Sequence, residues 1–166
     1  VALIRNADIG KRLRQVDSLP DLEGDSLIGR FATDAPAVYV AMGSFPVKNR
    51  YARPKYGIAC VARNSRSHQA ARHGDGVAIG LYEMLDAVMA LIDGAEVSDG
   101  DAPVSFEVVS CDLISSETLY QKGLYAAVVQ IQATAEVPLA GVTGDLADFK
   151  TFHTDYDVDP HQASTE

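Results

Sequence analysis

The residues best suited to chemistry in this 166-residue chain lie near its C-terminal end. His153, Asp155, Asp157, Asp159 and His161 alternate with other residues, and on a strand positions 153, 155, 157 and 159 share one face. Carboxylates and imidazoles gathered on one face attract divalent cations, and a bound cation could activate water for hydrolysis. The spacing lacks the glycine and terminal glutamate of a calcium loop, so the plainer reading is an acidic edge that faces solvent or a basic partner. His68 and His73 stand close to Asp75, but their spacing fits no zinc-ligand pattern and no cysteine accompanies them. Cys60 and Cys111 fall within alternating apolar stretches and read as small buried hydrophobes, because a nucleophilic thiol needs a histidine and an exposed electropositive pocket. Gly74-Asp75-Gly76 lacks the Lys-Ser/Thr of a phosphate loop. No Gly-x-Ser-x-Gly, His-Glu-x-x-His, Cys-x-x-Cys or kinase pattern occurs. These residues predict no catalytic site, no metal site and no cofactor.

Charge is the stronger signal. The formal net charge is −9, and it is unevenly spread. Residues 1–34 carry −1. Residues 35–74 carry +7, with Lys48, Arg50, Arg53, Lys55, Arg63, Arg66 and Arg72 and no acid. Residues 75–166 carry −15. An acidic chain is no general nucleic-acid coat, which needs excess Lys and Arg. Two arrangements remain open. The basic segment folds against the acidic half of its own chain, or a positive surface on one copy meets a negative surface on another copy or protein. Complementary patches steer encounter and fix register. A head-to-tail contact between unlike surfaces closes into a ring when the rotation allows. The interface candidates are Lys48, Arg50, Tyr51, Arg53, Arg63, Arg66 and Arg72 on the basic side, with Asp155 and Asp157 on the acidic side.

The elements that must position these residues follow from periodicity. The stripe of Leu3, Ile4, Ala7, Leu13 and Val16 predicts a helix over 2–16, with Gly10 as its weak point. Residues 17–35, with Pro20, two glycines and several acids, read as a connection. Strands are predicted over 37–45, 55–63, 104–114 and 124–137, and a basic loop over 43–54 joins the first two. Leu81, Met84, Leu85, Val88, Leu91 and Ile92 fit one helical face without a miss, predicting a helix over about 75–93 with Asp75 as N-cap and Gly94 after its end. A last extended piece covers 148–158. The expected fold is α+β: a mostly antiparallel four- to five-stranded sheet with two helices packed on one face. Residues 1–158 form one domain and 159–166 a polar tail. No apolar run reaches the roughly 20 residues of a membrane helix, Val1 to Ile4 is too short for a signal peptide, and two cysteines make no disulfide scaffold. Assembly in the cytoplasm fits these features.

Four segments carry a resemblance when taken in order. They are Ala35-Pro36-Ala37-Val38-Tyr39-Val40-Ala41 with Gly43; Tyr56-Gly57-Ile58-Ala59-Cys60-Val61-Ala62-Arg63-Asn64; Gly80-Leu81-Tyr82-Glu83-Met84-Leu85-Asp86; and Ala147-Asp148-Phe149-Lys150-Thr151-Phe152-His153-Thr154-Asp155-Tyr156-Asp157. Over about residues 2–160 this order resembles the Mu-like tail terminators of contractile-tailed phages and related tail-like particles. The resemblance implies a structural virion protein, not an enzyme, that forms a homohexameric ring. The ring would cap the tail tube, end its polymerisation and offer a docking surface to the head-side connector. Implied partners are other copies of the chain, the tail tube protein, the sheath and the connector, with passing contact to DNA in the channel and no membrane. The implied place is the head-proximal end of the tail in a virion assembled in the host cytoplasm. Two alternatives stay open: a head-tail adaptor or completion protein, and a metal-dependent hydrolase using His153, Asp155, Asp157 and His161.

Overall fold

The computed structural model of the chain describes residues 1–20, 22–44, 46–48, 51–98, 103–134 and 137–138, with backbone only at 51, 52, 98, 137 and 138. The predicted piece over 148–158, with Asp155 and Asp157, lies outside the described residues.

Helix α1 (Ala2–Asn6) is followed by a 3-10 turn (Ile9–Arg12) and strand β1 (Gln15–Ser18). The expected single helix over 2–16 therefore breaks in the middle. Gly10 packs against the chain it has just left: a Cβ there would overlap the carbonyls of Ile4 and Arg5. The reversal lets Leu13 and Arg14 extend, and the Arg14 N–H donates to the Pro36 carbonyl at 2.8 Å. Strand β1 can then run parallel to β2 (Ala37–Met42), with Val16 opposite Val38.

The expected connection over 17–35 contains helix α2 (Gly24–Asp34). Its Leu27, Ile28, Phe31 and Ala32 recur at helical spacing and pack on the sheet, so burial outweighs the poor helix propensity of Gly29. Strand β5 (Lys55–Arg63) pairs antiparallel with β2. Helix α3 (His68–His73) precedes α4 (Leu81–Ile92). The α4 helix starts at Leu81, not Asp75, because Asp75 closes a turn by accepting from the Val77 and Ala78 N–H groups. After α4 come β6 (Glu96–Ser98), β7 (Pro103–Ile114), α5 (Glu117–Gln121) and β8 (Leu124–Ala133).

The sheet order is β1-β2-β5-β8-β7-β6. This corrects the expected architecture. The fold is α+β, but the sheet has six strands and is mixed, and among the described residues there are five helices rather than two. Nor do they share one face. Met84, Leu85, Val88 and Ile92 of α4 pack with Ile4, Ile58, Cys60 and Val129 on one side. Phe31 of α2 and Leu119 of α5 pack with Tyr39, Val61 and Ala126 on the other. Phe31 and Tyr39 lie 5.4 Å apart, ring to ring, at 30°. The physical reason is the strands' own composition: β2, and β5 between its charged ends Lys55 and Arg63, are apolar on both faces, and each face needs a cover.

The basic loop is itself structured. Strands β3 (Val47–Lys48) and β4 (Tyr51–Ala52) form a short hairpin, and β9 (Val137–Pro138) pairs with β4. Because β3 follows β2, β4 precedes β5 and β9 follows β8, the order β3-β4-β9 repeats β2-β5-β8. Bridging bonds join the two ladders: Gly43 N–H to Lys55 O at 2.8 Å, Lys55 N–H to Ser44 O at 3.0 Å and Ala133 N–H to Pro54 O at 2.9 Å. The loop is an arm that prolongs the middle of the sheet.

Candidate functional site

The basic segment does not make one patch. Strand β5 runs from Lys55 at the arm to Arg63 at the opposite end, eight residue steps or about 27 Å at strand rise. Lys48 is exposed on β3, Arg53 is partly exposed, and Lys55 is exposed where the arm leaves the sheet. The Arg53 N–H donates to Pro46 O at 3.2 Å, which holds the hairpin closed. Tyr51 contributes backbone pairing to Lys48 and Pro138; Arg50 lies outside the described residues.

At the far end Arg63 and Arg66 join Lys122, from the α5–β8 turn, around a shallow depression of about 300 Å³. The Arg63 guanidinium donates to Ala32 O at 2.8 Å, which fixes its stem across the end of α2. Asn64 accepts from the Arg66 N–H at 2.9 Å and donates to Asp75 at 3.0 Å. The Ala78 N–H, Asn64, the Val77 N–H and the nearby Arg66 charge hold the Asp75 carboxyl below the usual carboxylate range. Arg14 adds a further positive charge on the same side. Arg72 differs: it is half-buried over the Tyr125 ring, 5.4 Å from the centroid, and donates to the Tyr125 hydroxyl at 3.3 Å. Its cation is bound within the fold.

The two described histidines meet different partners. His68 stacks on Tyr120 at 4.1 Å, and His73 meets Tyr82 edge-on at 5.0 Å. Among the described residues no three His, Cys, Asp or Glu side chains are grouped to hold a metal ion. Cys60 is fully buried, and burial first, with the nearby Cys111 second, pushes its thiol up to about 12. Cys111 is exposed on β7.

One surface was not visible in residue types. Strand β7 is paired along one side by β8, but on its other side β6 covers only Pro103 to Ser105. Phe106 then exchanges backbone bonds with Gly94 and Ala95, and Asp93 accepts from the Val108 N–H at 3.1 Å. From Val109 to Ile114 no described strand pairs with the outer side. A bulge between Val108 and Ser110 re-aims this stretch, leaving Val109 52% and Leu113 61% exposed. Glu107 lies just before this stretch, Asp112 within it and Glu117 just after it; all three are exposed and without an ion pair among the described residues.

These features are two separated basic poles and an open strand edge. The profile of bacteriophage Mu gp37 matches residues 1–116. The chain is also 30% identical to the Mu-like prophage FluMu protein gp37 of Haemophilus influenzae over 158 residues, covering 92% of this chain and 76% of that protein. The chain belongs to the phage Mu gp37 family. The resemblance carried by the four ordered segments is thereby borne out, and the gp37 match includes the arm hairpin, Arg63 and Arg66 of the far pole and all of β7.

Proposed function

We propose that this gp37-family chain is the tail terminator of a Mu-like contractile tail or tail-like particle. It acts as a structural protein without catalytic residues. Copies form a closed ring of six on the last ring of the tail tube, stop its growth and present a face to the head-side connector, and the sheath is a further neighbour. Its place is the head-proximal end of the tail in the virion. Family membership carries this reading. The surface agrees with it: unlike charges lie in separate places on one subunit, each beside exposed apolar residues, a condition that suits a head-to-tail contact that closes on itself.

The test is assembly in the chain's absence. Particles lacking it should carry tubes of uncontrolled length without heads, and labelled chain should locate to the head-proximal end of wild-type tails. Tubes of normal length that merely fail to join heads would assign it instead to the adaptor between tail and head. Native mass spectrometry of the purified chain should show the ring.

A further inference from the structure

The arm and the open side of β7 match each other in three independent respects. The first is backbone. Strand β3 is the outer strand of the arm, and β7 from Val109 to Ile114 has no described strand on its outer side. Unpaired strand edges pair readily with another chain, and proteins that must stay monomeric cover or charge them. The opposite edge of the large sheet is treated that way: Arg5 reaches across β1 and donates to Val16 O at 2.6 Å. The second is apolar surface. Met42 and Val47, at the base and outer strand of the arm, are 65% and 56% exposed, while β7 exposes Val109, Leu113 and Ile114. The third is charge. The arm side carries Lys48, Arg53 and Lys55; the β7 side carries Glu107, Asp112 and Glu117. None of the six makes an ion pair among the described residues.

We propose that the arm of one copy docks on the β7 edge of the next, β3 adding to the sheet as an outer strand. Main-chain bonds supply affinity in such strand addition, and the side chains alternating along the edge set the partner. The contact joins two different surfaces, so each subunit gives an arm and receives one, as ring closure requires. This rests on the ring reading above and names the surfaces that make the ring.

Native Cys111 lies inside the acceptor stretch, and buried Cys60 serves as an internal control. Maleimide labelling should modify Cys111 readily in the dissociated chain and at least about tenfold more slowly in the ring, purified alone or within tails, with Cys60 silent in both. In Val47→Cys, a short bis-maleimide should join that thiol to Cys111 of the neighbour and yield a covalent ladder up to the closed ring. Adding Cys111→Ser should abolish the ladder. A ring seen by native mass spectrometry whose Cys111 labels at the dissociated rate, with no ladder, overturns the docking and leaves the ring intact. Protection of Cys111 already in the dissociated chain also overturns it, because the chain then covers its own edge. A chain that forms no ring, alone or in tails, removes the ring reading and this contact with it.

Discussion

Lys55 and Arg63 end the same strand about 27 Å apart, so one run of basic sequence becomes two separate positive poles. That distance exceeds the 8–10 Å over which exposed charges act at physiological salt, so the poles work independently.

Reversing charge at one pole should therefore leave the other's work untouched. Lys48→Glu with Lys55→Glu should weaken ring formation by about tenfold or more and remove much of its salt sensitivity. Arg63→Glu with Arg66→Glu should leave the ring intact. Native mass spectrometry across a salt titration separates the two. Equal loss from both pairs would show that the poles share one partner.

Two glycines should respond in opposite directions. Gly80 lies against the backbone of His73 and Gly74, and a Cβ would overlap atoms of both. Main-chain atoms cannot rotate aside, so Gly80→Ala should cost about 1–3 kcal/mol or more. Gly29 sits inside α2 with nothing near its would-be Cβ, so Gly29→Ala should stabilise by roughly 0.5–1 kcal/mol. Denaturant titrations of the two variants measure both signs.

Legibility in the sequence followed the reach of each signal. Strand β5 and α4 were readable because their buried apolar positions each obey one period, although the expected helix began before Leu81, where α4 starts. Helix α2 was hidden by its glycines and acids, although Leu27, Ile28, Phe31 and Ala32 carried the right spacing. The β7 faces could not be assigned from alternation alone. The bulge at Val108/Ser110 turns Cys111 and Leu113 to the side of Phe106 and Val108, and an extra residue leaves no mark on composition. The charge imbalance of 35–74 was plain, but its division into two poles depends on the direction and length of β5. The open β7 edge is a matter of which strands are missing beside it, and single-chain periodicity does not report neighbours.

Alkaline pH should expose two buried acids. Burial first, and the bond to Asp34 second, raise the Tyr39 hydroxyl from 10.0 to about 12, and burial raises the Cys60 thiol from 9.0 to about 12. Folded chains then keep protons that unfolded chains release. Stability should be complete below about pH 9 and fall as pH climbs toward 12, at up to roughly 1.4 kcal/mol per unit for each group. Tyr39→Phe should flatten the part above pH 10 while costing about 1 kcal/mol at neutral pH through the lost hydrogen bond. An unchanged alkaline slope in that variant would show that Tyr39 is not the group responsible.

Helix α2 offers the sharpest test of the two-sided core. Phe31 is 7% exposed, against Tyr39, Val61 and Ala126 on the face away from α4. If residues 17–35 were only a surface connection, truncating Phe31 would cost little. With α2 closing that face, Phe31→Ala empties a buried ring's volume between helix and sheet and should cost about 3–5 kcal/mol. Leu22, 41% exposed just before the helix, supplies the control, and Leu22→Ala should stay within about 0.5 kcal/mol of the parent. Lost cover over β2 and β5 would also loosen the strands from which the arm extends. Phe31→Ala should therefore weaken ring formation although no β7 residue belongs to the cluster around Phe31, and thermal melts read beside native mass spectra would show both losses in the same variant.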